Sequence, residues 1–269
     1  MQEPQAAGVQ VSSQAVVALR GAGKAFDNGT QALADIDLDV RHGEFLTLIG
    51  PSGCGKSTLL AAMAGLARPT AGTIAWWGGD LEHTGMAGRR IGFVFQAPTL
   101  MPWARLTTNV RVPLTLAGMP RAEADRAVAV ALERVHLTRF ADHLPRQLSG
   151  GMQMRASIAR ALAVEPNLLL MDEPFGALDE FTRNRLDSDL RRLWSARGFT
   201  VVFVTHSIYE AVFLSSRVIV MAARPGRVIA DVPIDGPAER GEDFRVSAPF
   251  IEYCRVLSEH LGRANRGER

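Results

Sequence analysis

From Ala34 to Val40 the chain alternates apolar and acidic residues, Ala-Asp-Ile-Asp-Leu-Asp-Val. A period of two puts one face inside and one in water, which predicts a half-buried, antiparallel strand. Further on, the apolar positions come in short unbroken runs at 45–49, 91–95, 168–171, 200–204 and 217–221. Between several of these runs the spacing changes to that of a helix. The spacing predicts a helix over 57–66, closed by Gly65 and the nearby Pro69. A second covers 121–135, with Val128, Ala131, Leu132 and Val135 on one face. A third covers 149–164, with Met154, Ile158, Ala161 and Leu162 in a stripe. A fourth covers 180–197 and aligns Leu186, Leu190, Leu193 and Trp194. Strands alternating with helices imply a parallel, covered sheet and an α/β fold. The block at about 98–165 interrupts that alternation and reads as an inserted helical subdomain. The charged tail over 231–269 carries one amphipathic helix at 250–261, and residues 1–14 read as a disordered segment.

Length and charge narrow the classes. The 269 residues suffice for one large domain or a domain with a subdomain. A net charge of +2, from 30 basic and 28 acidic residues, leaves no broad basic footprint, so no nucleic-acid partner is expected. The two cysteines, Cys54 and Cys254, cannot build a disulfide framework and fit a reducing compartment. Residues 1–14 are polar and lack the apolar core of a signal peptide. No apolar run approaches the roughly 20 residues of a membrane helix. Any membrane role would be served from the water side, with other chains.

The chemistry concentrates at strand ends. Gly50-Pro51-Ser52-Gly53-Cys54-Gly55-Lys56-Ser57-Thr58 follows the 45–49 strand and opens the 57–66 helix. Gly50, Gly53 and Gly55 let backbone amides approach phosphate oxygens, and the helix N-terminus aims its positive end at the same place. Lys56 reaches the β- and γ-phosphates, Ser57 offers a hydroxyl to Mg²⁺, and Thr58 adds an α-phosphate contact. The same helix field should lower the pKa of Cys54, making it reactive and protected by bound ATP. Asp172 and Glu173 end the 168–171 strand and, as neighbours on a strand, should do different jobs. Glu173 is the candidate base or water orienter.

Between these two elements stands Leu148-Ser149-Gly150-Gly151-Met152-Gln153. With the cradle before it and the acids after it, the chain resembles the ATP-binding cassette family from about Val16 to Val228. The resemblance implies a P-loop NTPase with a mixed sheet core, an antiparallel β subdomain and an inserted helical subdomain, over residues 15–230. It assigns Asp172 to Mg²⁺ through a water, Glu173 to the attacking water, and Gln96 to a Mg²⁺-touching loop. It makes His206 the residue that senses the γ-phosphate, and Phe26 a stacking platform for the base. Ser149, Gly150 and Gly151 would close on ATP held by a second subunit, with Asp179 of Gly176-Ala177-Leu178-Asp179 crossing the same interface. A homodimer holding two ATP molecules follows.

Gly50 and Ser149 are too close for the long coiled coil of chromosome-organising types, and one cassette without a membrane span leaves a stand-alone motor. Gln96-Ala97-Pro98-Thr99-Leu100-Met101-Pro102-Trp103 with Leu106-Thr107-Thr108-Asn109-Val110 looks like the nitrate, sulfonate and taurine importer subfamily. Glu210-Ala211-Val212-Phe213-Leu214 and Ala223-Arg224-Pro225-Gly226-Arg227 resemble the same group. The implied partners are permease subunits, docked near Trp103, and indirectly a substrate-binding protein. The implied location is the cytoplasmic face of the inner membrane. Thiamine-precursor pyrimidines are a rival cargo, and a soluble non-transport ATPase is the rival class. Met154, in place of a second Gln, and Ser207-Ile208-Tyr209 after the histidine depart from the common pattern.

Overall fold

The computed structural model describes residues 15–81, 88–176, 178–237 and 239–266. The segment 1–14, expected to be disordered, lies outside them. In chain order the elements are β1 (Ala15–Ala25), β2 (Gln31–Arg41), β3 (Phe45–Ile49), α1 (Lys56–Met63), β4 (Ala71–Trp76) and β5 (Ile91–Val94). Then come α2 (Leu106–Leu116), α3 (Arg121–Arg134), α4 (Gly150–Ala163), β6 (Leu168–Asp172), α5 (Glu180–Arg197) and β7 (Thr200–Val204). The chain ends with α6 (Ile208–Leu214), β8 (Arg217–Ala222), β9 (Arg227–Pro233), α7 (Glu242–Arg245) and α8 (Ala248–Arg266).

Two sheets form. The larger has the order β5-β6-β7-β3-β8-β9, parallel except for β9 at the edge. The smaller is antiparallel, β2-β1-β4. Alternation along the buried strands divides the core in two. Leu46 and Leu48, Leu168 and Leu170, and Val202 and Val204 face a core that also holds Leu59, Leu60 and Met63 of α1 and Leu19, Ile36 and Trp76 of the small sheet. Phe45 and Ile49, Leu169 and Met171, and Val201 and Phe203 face the other core. There they meet Val110 and Leu114 of α2, Val128 and Leu132 of α3, and Met154 and Ile158 of α4. The strands are therefore covered on both sides, as a parallel sheet requires. The inserted helices share the main core rather than owning a separate one.

The boundary expected between residues 230 and 231 falls inside β9, and the stretch beyond it contains two described helices, not one. Phe244, Phe250 and Leu257 are buried in the main core. The C-terminal stretch is thus built into the fold.

Candidate nucleotide-hydrolysing site

Four parallel strands deliver the site. Their carboxyl ends carry Gln96 (after β5), Asp172 and Glu173 (β6), His206 (after β7) and the cradle (after β3). Open α/β sheets place ligand-binding crevices at this edge.

The cradle is built on close approach. A Cβ at Gly50 would stand 2.5 Å from the Met221 carbonyl oxygen, and one at Gly55 2.8 Å from that of Ala32. Gly55 also takes a φ of 90°, the left-handed region that favours glycine. Lys56 threads back along the loop, its Nζ donating to the Gly50 carbonyl at 2.8 Å and the Pro51 carbonyl at 3.1 Å. Ser52 and Gly53 are exposed at the tip, and Thr58 lies half-buried in the first turn of α1. Cys54 corrects the sequence reading. It is fully buried, and burial pushes its thiol pKa up, with Lys56 opposing. It does stand at a helix N-terminus, but burial outweighs that field.

The two acids take different partners, with Asp172 the last residue of β6 and Glu173 just past it in a left-handed conformation rather than in the strand. Asp172 accepts a hydrogen bond from the Ser57 hydroxyl at 3.0 Å. Burial raises the Asp172 pKa, helped by the Glu173 charge and opposed by Ser57 and Lys56. These are hard oxygen donors of the kind that hold Mg²⁺ with one or two protein ligands and phosphate oxygens. Glu173 receives Gln96 Nε2 at 3.3 Å, and His206 Nδ1 lies 3.2 Å from the same oxygen, Oε2. Two loops thus converge on the carboxylate of a third.

The remaining expected residues form a different group. Ser149 caps α4, its hydroxyl accepting from Met152 N at 3.3 Å, and Ser149 and Gly150 are exposed. A Cβ at Gly151 would lie 3.3 Å from Leu178 Cδ2, so the Ser149 turn abuts the Asp179 loop. Asp179 is itself an exposed cap, accepting from Thr182 N at 3.0 Å, and that bond lowers its pKa. Among the described residues no hydrogen bond joins Ser149, Gly150, Gly151 or Asp179 to the cradle. Phe26 stands 46 % exposed where β1 ends, with Lys24 Nζ 5.7 Å from its ring centroid.

Several supporting residues were not singled out from the sequence. Arg160 of α4 donates to the Thr99 carbonyl at 2.8 Å and the Pro98 carbonyl at 3.1 Å, tying the segment after Gln96 to the helix that Ser149 opens. Buried Asn109 receives Met101 N at 2.7 Å and donates to the Ala104 carbonyl at 2.9 Å. That clasp shapes the 101–104 turn and leaves Trp103 78 % exposed. Asn109 is buried and Arg160 half-buried, and a side chain with many donors turned inward is there to hold backbone.

A phosphate loop beside a strand that ends in paired acids places the molecule among the P-loop nucleotide hydrolases. Residues 33–176 match the ABC transporter family, and the chain belongs to it. It is 49% identical over 86% of its length to an uncharacterized ABC transporter ATP-binding protein, MJ0412, of Methanocaldococcus jannaschii, covering 84% of that protein. It is 42% identical to the aliphatic sulfonates import ATP-binding protein SsuB of Bacillus licheniformis, over 88% of this chain and 91% of that one. It is 44% identical to the taurine import ATP-binding protein TauB of Yersinia pestis bv. Antiqua, over 87% and 92%. Among solved structures it is similar to the dimeric cassette MJ0796, with a TM-score of 0.74 and 35% identity, over 82% of this chain and 100% of that one. A further structure of MJ0796 is described as a post-hydrolysis state bound to ADP and Pi, and matches with a TM-score of 0.73 and 34% identity, over 82% of this chain and 100% of that one. The chain is an ATP-hydrolysing cassette.

Proposed function

We propose that this chain is the motor subunit of an importer, in which two copies bind ATP and Mg²⁺ and energise uptake of a small sulfonate or oxyanion through a separate permease. The convergence of Gln96 and His206 on Glu173, beside the Ser57–Asp172 pair, carries the reading. Glu173 orients the attacking water and takes its proton. His206 and Gln96 hold that carboxylate and meet the γ-phosphate edge of the site. Lys56 leaves the Gly50 and Pro51 carbonyls for phosphate oxygens, a stronger, charge-assisted partner. Ser57 and Asp172 hold Mg²⁺, which supplies charge neutralisation to the phosphates when bound. Ser149, Gly150, Gly151 and Asp179 lie on an exposed face of their own, which supports a site completed by the second copy. Phe26 stacks on the base.

Transport is supported by the relatives named for sulfonate and taurine import and by Trp103, an exposed aromatic held out by a buried clasp where a permease helix would dock. No described helix is long and apolar enough to cross a membrane, which fits a peripheral subunit on the cytoplasmic face. A substrate-binding protein delivers the cargo. Sulfonate and taurine names among the relatives favour those cargoes over nitrate or pyrimidines. The test is ATP turnover by the motor and its co-purifying permease in proteoliposomes, with the binding protein loaded in turn with taurine, an alkanesulfonate, nitrate and a pyrimidine. Stimulation by the first two supports the proposal. Stimulation by the pyrimidine alone, or turnover that never responds to a permease, overturns it.

A further inference from the structure

Between β7 and α6 a small ring of hydrogen bonds closes around His206. Ser207-Ile208-Tyr209-Glu210 has the spacing of a capping box, in which the serine hydroxyl takes the N–H of the third helical residue and the glutamate returns to the serine N–H. The first half is present, with Glu210 N donating to Ser207 Oγ at 3.3 Å. The second half is rerouted. Ser207 N donates to Thr205 Oγ1 at 3.0 Å, and the Thr205 hydroxyl donates to Glu210 Oε2. The residues on both sides of His206 are therefore pinned, while its own ring stays exposed with Nδ1 at Glu173. Thr205 and Glu210 are only 3 % and 4 % exposed.

A local helix cap needs nothing more, yet Glu210 has a second connection. Arg183 Nε of α5 lies 3.5 Å from Glu210 Oε1, and Arg183 Nη2 donates to the Leu178 carbonyl at 2.7 Å. Leu178 belongs to the loop that leads to Asp179 and packs beside Gly151. A further carboxylate, fully buried Asp187 of α5, is met by Arg245 of α7 at 3.4 Å, and that guanidinium lies 3.7 Å from the Phe213 ring centroid of α6. Burial raises the pKa of Glu210, with Thr205, Arg183, His206 and Arg245 opposing. So deep a carboxylate is costly to keep unless its bonds are used.

We infer that Glu210 is a positioning residue for ATP hydrolysis: through Thr205 it fixes His206 against Glu173, and through Arg183 it fixes Leu178, next to Asp179, in the same register. This rests on the ATPase reading above. Glu210 touches no reacting atom, so its effect belongs in turnover rather than in nucleotide affinity.

The test compares Thr205→Val, which keeps volume and loses the hydroxyl, with Thr205→Ser, which keeps the hydroxyl, and adds Glu210→Gln and the Thr205→Val/Glu210→Gln double variant. Turnover is measured on the full chain, below the Tm of every variant. The expected result is a kcat lowered roughly tenfold or more in Thr205→Val and Glu210→Gln, with KM for ATP held within about twofold. Thr205→Ser restores kcat, while Glu210→Gln, whose amide oxygen still accepts from the Thr205 hydroxyl, loses kcat through the Arg183 arm, so the double variant loses more than either single one. Equal kcat in Thr205→Val and Thr205→Ser overturns the inference, as does a fall in Tm with kcat intact. Should Glu210→Gln fail to fold, the valine and serine pair decides alone. A wild-type chain without turnover would instead remove the ATPase reading itself.

Discussion

Glu173 is where backbone strain and chemistry coincide. Its φ is 43°, a left-handed conformation that costs a non-glycine residue of order 1–3 kcal/mol. Its N–H is held by the Val204 carbonyl at 3.0 Å, and its carboxylate faces Gln96 and His206. Glu173→Gln keeps the shape and removes the base, so turnover should fall roughly 10²- to 10⁴-fold while ATP still binds. Unchanged turnover in single-turnover assays would remove Glu173 from its role. Lys56→Ala should act on binding, raising the Kd for a fluorescent ATP analogue at least about tenfold. Cys54 should resist a maleimide in the folded protein with or without MgATP and react only on unfolding. Labelling that ATP slows would restore the reactive thiol read from the sequence. The cradle was legible because glycine, lysine and serine at that spacing answer a backbone requirement. The burial of Cys54 was not, since the core it joins gathers Leu33, Ile219 and Met221, and Gly226 comes up against its carbonyl, most of them far away in sequence. The same holds for Glu210, whose local spacing reads as a helix cap and whose partner Arg183 lies on another helix.

Among elements, legibility followed burial. β3, β6, β7 and β8 are apolar because both faces are covered, and each stands out as a run. β4 and β9 are edge strands with mostly partly exposed residues, Ala-Gly-Thr-Ile-Ala-Trp and Arg-Val-Ile-Ala-Asp-Val-Pro, and carry no such mark. α2 holds Pro113 in its interior, a residue that ordinarily argues against a helix, and α6 is too short to show a period. The packing of α5 on α7 gives a pH signature. Burial, with Glu210 nearby, pushes Asp187 from 3.8 up to about 8, against Arg245 and Arg183. The folded state then keeps a proton that the unfolded chain releases near 3.8, so stability falls as pH rises through that window and is fully present below it. Asp187→Asn should flatten the decline of Tm between about pH 5 and about pH 8. Parallel Tm profiles for variant and wild type would contradict the buried, protonated carboxyl.

At the scale of the whole molecule, the residues of the proposed site lie on two faces. Cradle, acids, Gln96 and His206 gather at the sheet edge, and the Ser149 turn with the Asp179 loop forms another exposed face. Each face is ordered by its own contacts: the first by strand ends, the second by helix caps. In the proposed function ATP is held by Lys56 of one protomer and Ser149 of its twin. The most direct measurement is ATP turnover per chain across a wide range of protein concentration, with mass followed by sedimentation on the same samples. Turnover should rise steeply as dimer forms and then level off. A constant rate per chain, carried by a species that stays monomeric throughout, would contradict the shared site.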